Sequence, residues 1–237
     1  MRIASYNLRK CVGLDRRRDP GRSLQVINAL HADIVALQEA DRRLGARPAA
    51  LSARLIAENS DMRAVPTGRD GPSLGWHGNA ILLRKGLTAG PAVPIDLPGT
   101  EPRGALSLWV EGELRIVATH LGLLRRDRRR QLAAIVSAVA GDAPRTVVLG
   151  DFNEWSGTRG LEPLRESFDI CAPGNSFHAA RPVATLDRIA LGTQLELVDA
   201  GVCDTRLSRI ASDHLPVWAD VALGRARPSR ARGRPEG

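Results

Sequence analysis

Lysine is nearly missing from this chain: of 34 basic residues only Lys10 and Lys85 are not arginine. So lopsided a bias can reflect codon composition as easily as selection for a ligand, which weakens any polyanion-binding argument drawn from the net charge of +8. Half of that excess lies in 224–237, where Arg225, Arg227, Arg230, Arg232 and Arg234 face only Glu236. This Pro/Gly/Arg segment has too little apolar surface for a core and is expected to be a disordered basic tail. Cysteine is scarce as well. Cys11, Cys171 and Cys203 show neither metal-knuckle nor disulfide spacing, so a reduced, cytoplasmic setting is expected. Nor is there an apolar run long enough for a signal peptide or a membrane span. No repeat and no linker divides the body, so 1–223 is expected to form one domain.

What is present is a series of short apolar runs of strand type. They predict strands over Arg2–Tyr6, Ile34–Leu37, Ala80–Leu83, Ala105–Val110, Leu114–Thr119, Thr146–Leu149, Arg188–Leu191 and Pro216–Leu223. Helical spacing appears over Ser23–Leu30, Ala49–Ala57 and Leu124–Val139, the last with Leu124, Leu132, Ile135, Val136 and Val139 on one face. Gly112-Glu113 between two strand runs predicts a tight hairpin. Hairpins mixed with helical connections favour an α/β fold with mixed or antiparallel sheets, and near-continuous apolar strands imply helices covering them from outside.

Polar residues sit at the ends of these runs. Asn7, Glu39, His120 and Asp151 each follow one, while Asp187 and Asp213 each precede one. A buried strand does not tolerate unpaired carboxylates, whereas a sheet rim that gathers them suits a hard, oxygen-binding cation. Neighbouring antiparallel strands bring such residues to a single rim when some leave strands where others enter them.

Seven phrases in order carry a resemblance: Ser5-Tyr6-Asn7, Leu37-Gln38-Glu39, Gly78-Asn79-Ala80-Ile81-Leu82, Thr119-His120-Leu121, Gly150-Asp151-Phe152-Asn153, Leu186-Asp187-Arg188-Ile189 and Ser212-Asp213-His214. From Arg2 to about Val221 the chain resembles the endonuclease/exonuclease/phosphatase superfamily of metal-dependent phosphoesterases. The resemblance implies a four-layer α/β sandwich, two packed sheets flanked by helices, with the site at their edge. It implies Glu39 as principal ligand of Mg²⁺, with Mn²⁺ as a substitute, and Asn7 and Asp213 completing or supporting the metal shell.

The resemblance also implies that His214 and Asp187 form a histidine–carboxylate pair, which would fix the tautomer and leave one ring nitrogen for the phosphate. His120 is expected to donate to the same phosphate. Asp151 and Asn153, two apart, would share one side of an extended segment, Asp151 orienting or deprotonating water and Asn153 donating to phosphate. An Asx-type turn there is compatible with that use. Asn79 is carried over as substrate-binding, and Arg103 is a candidate phosphate clamp with a plain surface role as the alternative. The Arg125 to Arg130 run either lines an anionic approach or solvates the outer face. Trp76, His77 and Trp155 fall in expected rim loops, as stacking or lipid-touching groups or as core.

The function expected is a Mg²⁺-dependent hydrolase of phosphoesters, foremost a phosphodiesterase or nuclease with nucleic acid as partner. The alternative is a phospholipid or small-molecule phosphoesterase with peripheral membrane contact. A catalytically inactive binding module is the third reading, disfavoured because no metal or histidine position is lost.

Overall fold

Every residue pointing between the sheets alternates with one pointing outward, and that alternation builds the molecule. In a computed structural model, which describes residues 1–42, 45–68 and 71–224, two six-stranded sheets pack face to face. The first contains β1 (Arg2–Asn7), β2 (Ile34–Gln38), β3 (Met62–Ala64), β4 (Ala80–Arg84), β11 (Leu195–Val202) and β12 (Val217–Leu223), in the order β11-β12-β1-β2-β4-β3. The second contains β5 (Val93–Leu97), β6 (Arg103–Val110), β7 (Leu114–His120), β8 (Thr146–Asp151), β9 (Phe168–Cys171) and β10 (Asp187–Gly192), in the order β5-β6-β7-β8-β10-β9. Each sheet holds one parallel pair, β1–β2 and β7–β8, among antiparallel neighbours.

The inner core interleaves Ile3, Ile34, Ala36, Ile81 and Leu83 with Leu106, Leu108, Ile116, Ala118, Val147, Leu149, Ile189 and Leu191. The intervening positions face out. Ala4, Tyr6, Val35, Leu37 and Leu82 pack under α1 (Pro20–Asn28) and α2 (Ala53–Asn59). Val117, Val148 and Ala190 pack under α3 (Arg125–Ala138) and the short α4 (Glu162–Arg165). That is the expected four-layer sandwich. Asp19 caps α1 by accepting from the Arg22 N–H at 2.9 Å, ahead of Pro20 at the first helical position.

Several expectations need adjusting. Leu124 is not on the apolar face of α3; it stands half-exposed at the N-cap, while Leu132, Ile135 and Val139 are buried. Glu111 and Gly112 are the central residues of the β6–β7 hairpin turn, both with positive φ, so the turn lies one residue earlier than read. The basic tail beyond Gly224 lies outside the described residues. Among those described, no helix is long and apolar enough to cross a membrane.

Candidate active site

Strand alternation that places Ile116, Ala118, Val147, Leu149, Ile189 and Leu191 in the inner core continues to the rim. It therefore aims His120, Asp151 and Asp187 inward as well. These three sit side by side in register, His120 against Asp151 in parallel and Asp151 against Asp187 antiparallel. Gly150 permits the close approach: its φ is +151°, and a Cβ there would lie 1.8 Å from the Thr119 carbonyl oxygen. On the facing sheet the inward series of β1 runs Ile3, Ser5, Asn7. Ser5 Oγ bonds the Gln38 Oε1 at 3.1 Å, and Asn7 Nδ2 donates across the sandwich to Asp151 Oδ2 at 3.0 Å.

Asp151 is the meeting point. Besides Asn7, its Oδ2 faces His120 Nε2 at 3.4 Å and His214 Nε2 at 3.6 Å. Its Oδ1 accepts the Asn153 backbone N–H at 2.9 Å, which is the Asx-type turn. His214 arrives from the loop before β12. That loop is tied down by Ser212, whose hydroxyl donates to the Asn7 carbonyl at 2.7 Å. His214 Nδ1 meets Asp187 Oδ2 at 2.8 Å, an oxygen also held by Ser176 Oγ at 2.6 Å. Burial alone would lower the His214 pKa, but the carboxylates of Asp187 and Asp151 outweigh it and raise it to about 10. The surrounding carboxylates thus favour the protonated ring, with Nδ1 bonded to Asp187 and Nε2 facing Asp151 without a hydrogen bond. Phe177 covers it, ring centroids 5.0 Å apart.

On the first sheet, β1 leads into a strained turn. Arg9, Lys10 and Cys11 have φ of 46°, 60° and 58°, three consecutive left-handed residues without a glycine. Left-handed geometry costs roughly 1–2 kcal/mol per such residue. The turn delivers Lys10 Nζ to Glu39, itself left-handed with φ 50°, and brings Arg9 Nε within 3.4 Å of Asp213 Oδ2. The Arg9 N–H also donates to Asn7 Oδ1 at 3.0 Å. Sequence reading passed over Arg9 and Lys10, although two cations directly after Asn7 were the available signal.

Glu39 lines a cavity of about 270 Å³ together with Lys10, Arg47, His77, Arg103 and His120. Arg103 reaches it at the head of β6, but Glu101 holds its guanidinium through Nε at 3.2 Å and Nη2 at 2.8 Å. Asn79 is buried and donates to the carbonyls of Trp76 and Gly104, at 3.2 and 2.9 Å. The two amide hydrogens a phosphate would take are thus engaged, one within its own loop and one across to the second sheet. Asn153 is not on an extended segment; its φ is 52°, and Nδ2 donates to the Leu121 carbonyl at 2.9 Å, leaving one amide hydrogen. Trp76 packs against Gly104 and the core, whereas Trp155 is exposed and meets Phe177 edge-on.

Glu154 was the second omission. It is buried and takes Arg125 at 2.9 Å and Arg128 at 2.7 Å, while Arg188 donates to its carbonyl at 2.9 Å. Burial pushes the Glu154 carboxyl up, but the arginines overcome that and hold it at about 2. This clamp fixes the loop that carries Asn153, and it gives Arg125 and Arg128 a structural use that neither sequence alternative named.

Oxygens for a cation come from one cluster of side chains and from hard donors beside β1, β2 and β12. Among the described residues, Asp151, Asp187 and His214 are the one set of three acidic, histidine or cysteine ligands whose atoms lie within 4.8 Å of one another. In that set Asp187 already engages His214 Nδ1, and the two carboxylates favour protonation of the ring, which suits proton handling. Glu39, Asp213 and the Asn7 amide oxygen are hard donors, and one or two carboxylates with water is the set Mg²⁺ takes.

Similar proteins share this plan. A curated relative, the uncharacterized protein YbhP of Escherichia coli strain K12, is 27% identical over 164 residues, covering 63% of this chain and 64% of that protein. The match thus spans under two thirds of the relative's length. A solved endonuclease/exonuclease/phosphatase from Beutenbergia cavernae superposes with a TM-score of 0.70 at 24% identity, covering 95% of this chain and 72% of that one. The mannosyl-6-phosphatase Bt3783 of Bacteroides thetaiotaomicron does so at 0.69 and 16%, covering 94% and 100%. At such identities these likenesses speak to the fold. Residues 4–214 match the family model itself, a span that holds every rim residue described above. On that match the chain belongs to the Endonuclease/Exonuclease/phosphatase family.

Proposed function

We propose that this protein hydrolyses phosphodiesters with a divalent cation, Mg²⁺ by preference and Mn²⁺ as its substitute. The observation that carries the reading is the convergence of Asn7, His120 and His214 on Asp151 Oδ2. Glu39, Asn7 and Asp213 would hold the ion. When bound, it would polarise a phosphoryl oxygen and offset charge on the leaving oxygen.

Asp151 orients a water and takes its proton as the water oxygen attacks phosphorus. One P–O bond forms and the opposite one breaks; the departing oxygen takes a proton from solvent on the far face and Asp151 returns its own to solvent, so charge and protons balance. His214, held as an imidazolium by Asp187, donates from Nε2 to a non-bridging oxygen, and His120 donates to a second oxygen. Such preorganised donors are each worth roughly 3–4 kcal/mol in the transition state. Asn153 supplies its remaining amide hydrogen from a loop that Glu154 and its arginines keep rigid.

A diester is favoured over a monoester by the charge balance. Lys10, Arg9 and Arg103 already face Glu39, Asp213 and Glu101, and Arg47 contacts His77 Nδ1 at 3.2 Å. A monoester dianion would want unmatched cations; a diester brings a single charge. The free thiols of Cys11, Cys171 and Cys203 support a cytoplasmic setting.

Hydrolysis of bis(4-nitrophenyl) phosphate, with 4-nitrophenyl phosphate and supercoiled plasmid in parallel, tests the reading. Turnover of the diester in Mg²⁺, lost in EDTA and in Asp151→Ala, is the expected result. Diester hydrolysis that survives EDTA would overturn it.

A further inference from the structure

Leu123 and Leu124, between β7 and α3, are 65% and 51% exposed. Leu124 occupies the N-cap, where Ser, Thr, Asp or Asn would stabilise the helix, and it forms no capping hydrogen bond. Two adjacent leucines standing in water at a position that favours a polar residue call for an occupant. Trp155, two residues past Asn153, is 62% exposed, and Val183, in the loop entering β10, is 61% exposed.

All four lie on segments that leave or enter the second sheet at its catalytic end. Trp155 and Leu123 flank one ion pair, because Arg128 donates to the Leu123 carbonyl at 2.6 Å and to Glu154 at 2.7 Å. Trp155 meets Phe177 edge-on at 6.1 Å, and Phe177 covers His214. The Val183 N–H donates to the Phe177 carbonyl at 2.8 Å. The exposed apolar groups are thus linked, contact by contact, around the catalytic histidine.

Charge completes the pattern. Arg126, Arg129 and Arg130 follow the leucines at helical spacing on one face of α3. With Arg125, Ala133 and Pro163 they line an open groove of about 590 Å³. Against these arginines stand Glu162, 3.7 Å from Arg129, and the buried Asp127, 3.7 Å from Arg126. Arg181 stands exposed beside Val183.

We propose that this rim docks the enzyme on an anionic phospholipid surface, so that the phosphodiesters it hydrolyses are presented from that surface. Leucines and an indole would enter the acyl boundary while the arginines meet headgroup phosphates. Aliphatic side chains offer nothing to a stacked base, which is why a lipid surface is favoured over nucleic acid. The second clause of the proposal rests on the phosphodiesterase reading; the docking does not.

The test is co-sedimentation of the full chain with phosphatidylcholine vesicles, alone or mixed with phosphatidylglycerol. Hydrolysis of soluble bis(4-nitrophenyl) phosphate is followed in parallel. The parent should pellet with the mixed vesicles. Leu123→Ser/Leu124→Ser should lower the bound fraction about tenfold, with soluble hydrolysis unchanged and Tm no lower than the parent's, because both side chains already face water and serine suits the N-cap. A parent that stays in the supernatant would overturn the docking. So would equal pelleting of the variant, which would assign binding to the Arg-rich tail. Loss of plasmid binding in the leucine variant, without vesicle pelleting, would make the rim a nucleic-acid surface. Pelleting that obeys the prediction while the parent fails on every soluble ester would leave docking intact and remove the phosphodiesterase reading.

Discussion

The two sheets meet at one rim but arrive there by opposite means. The second sheet presents His120, Asp151 and Asp187 as a straight continuation of regular strands, buried and in register. The first departs from regularity where it reaches the site. Past Asn7 it turns left-handed through Arg9, Lys10 and Cys11, and past Gln38 it turns left-handed at Glu39. Strain gathers where Lys10 and Arg9 are brought to Glu39 and Asp213. On the proposed reading the regular sheet would supply fixed proton geometry, and the strained one ligands that can change partner. His214 bridges the two, carried beside the first sheet but bonded to Asp187 of the second.

If this division holds, substitutions on the two sides fail differently. Asp151→Ala should lower diester hydrolysis at least about a thousandfold, with unfolding temperature close to the parent's. Rescue of that variant by excess Mg²⁺ would erase the distinction. Arg128→Met should instead act through the fold. It leaves the buried Glu154 with Arg125 alone, and breaking a buried pair costs about 3 kcal/mol, readable in urea unfolding.

Asp187→Asn should reduce kcat about a hundredfold while sparing KM. It also carries a pH signature. The folded pKa of His214 is raised from 6.5 to about 10, so its stabilisation is full below 6.5 and disappears as pH rises through about 10. Thermal unfolding in EDTA should show the parent losing stability across that window and the variant losing much less; identical profiles would remove the imidazolium assignment. Glu39→Gln is expected to have the smallest effect at saturation. It should raise the Mg²⁺ concentration for half-maximal rate about tenfold and leave the limiting rate near the parent's. A collapse of the limiting rate would move Glu39 to the proton-handling side.

The strands legible in the sequence and those that were not divide by position. All eight expected strands are present, and they occupy the interior of the two sheets. The four not anticipated, β3, β5, β9 and β11, are the four edges. An edge strand has one hydrogen-bonding side in solvent and need not be uniformly apolar. Phe168-Asp169-Ile170-Cys171 and Leu195–Val202 mix acids with aliphatics, and Pro94 within β5 is tolerated because an edge can lack a donor. At the site, residues lying next to interior strand ends were legible for the same reason. Lys10, Arg9 and Glu154 were not, since their roles come from partners in other segments: Lys10 from Glu39, Arg9 from Asp213, Glu154 from Arg128.

Local chemistry alone therefore determined which faces of the strands are apolar, where the strands stop, and which oxygen- and nitrogen-bearing side chains stand at their ends. A two-residue period needs no distant information. Only the tertiary structure decided which of those ends meet. The bond from Asn7 to Asp151 spans 144 residues and exists because two sheets pack with their catalytic ends together. The left-handed turn that carries two cations to the metal side follows from the same packing. Local bonds such as Cys11 N–H to the Leu8 carbonyl at 2.8 Å offset part of its strain; ion pairs with Glu39 and Asp213 add to them, and both carboxylates reach that rim from elsewhere in the chain.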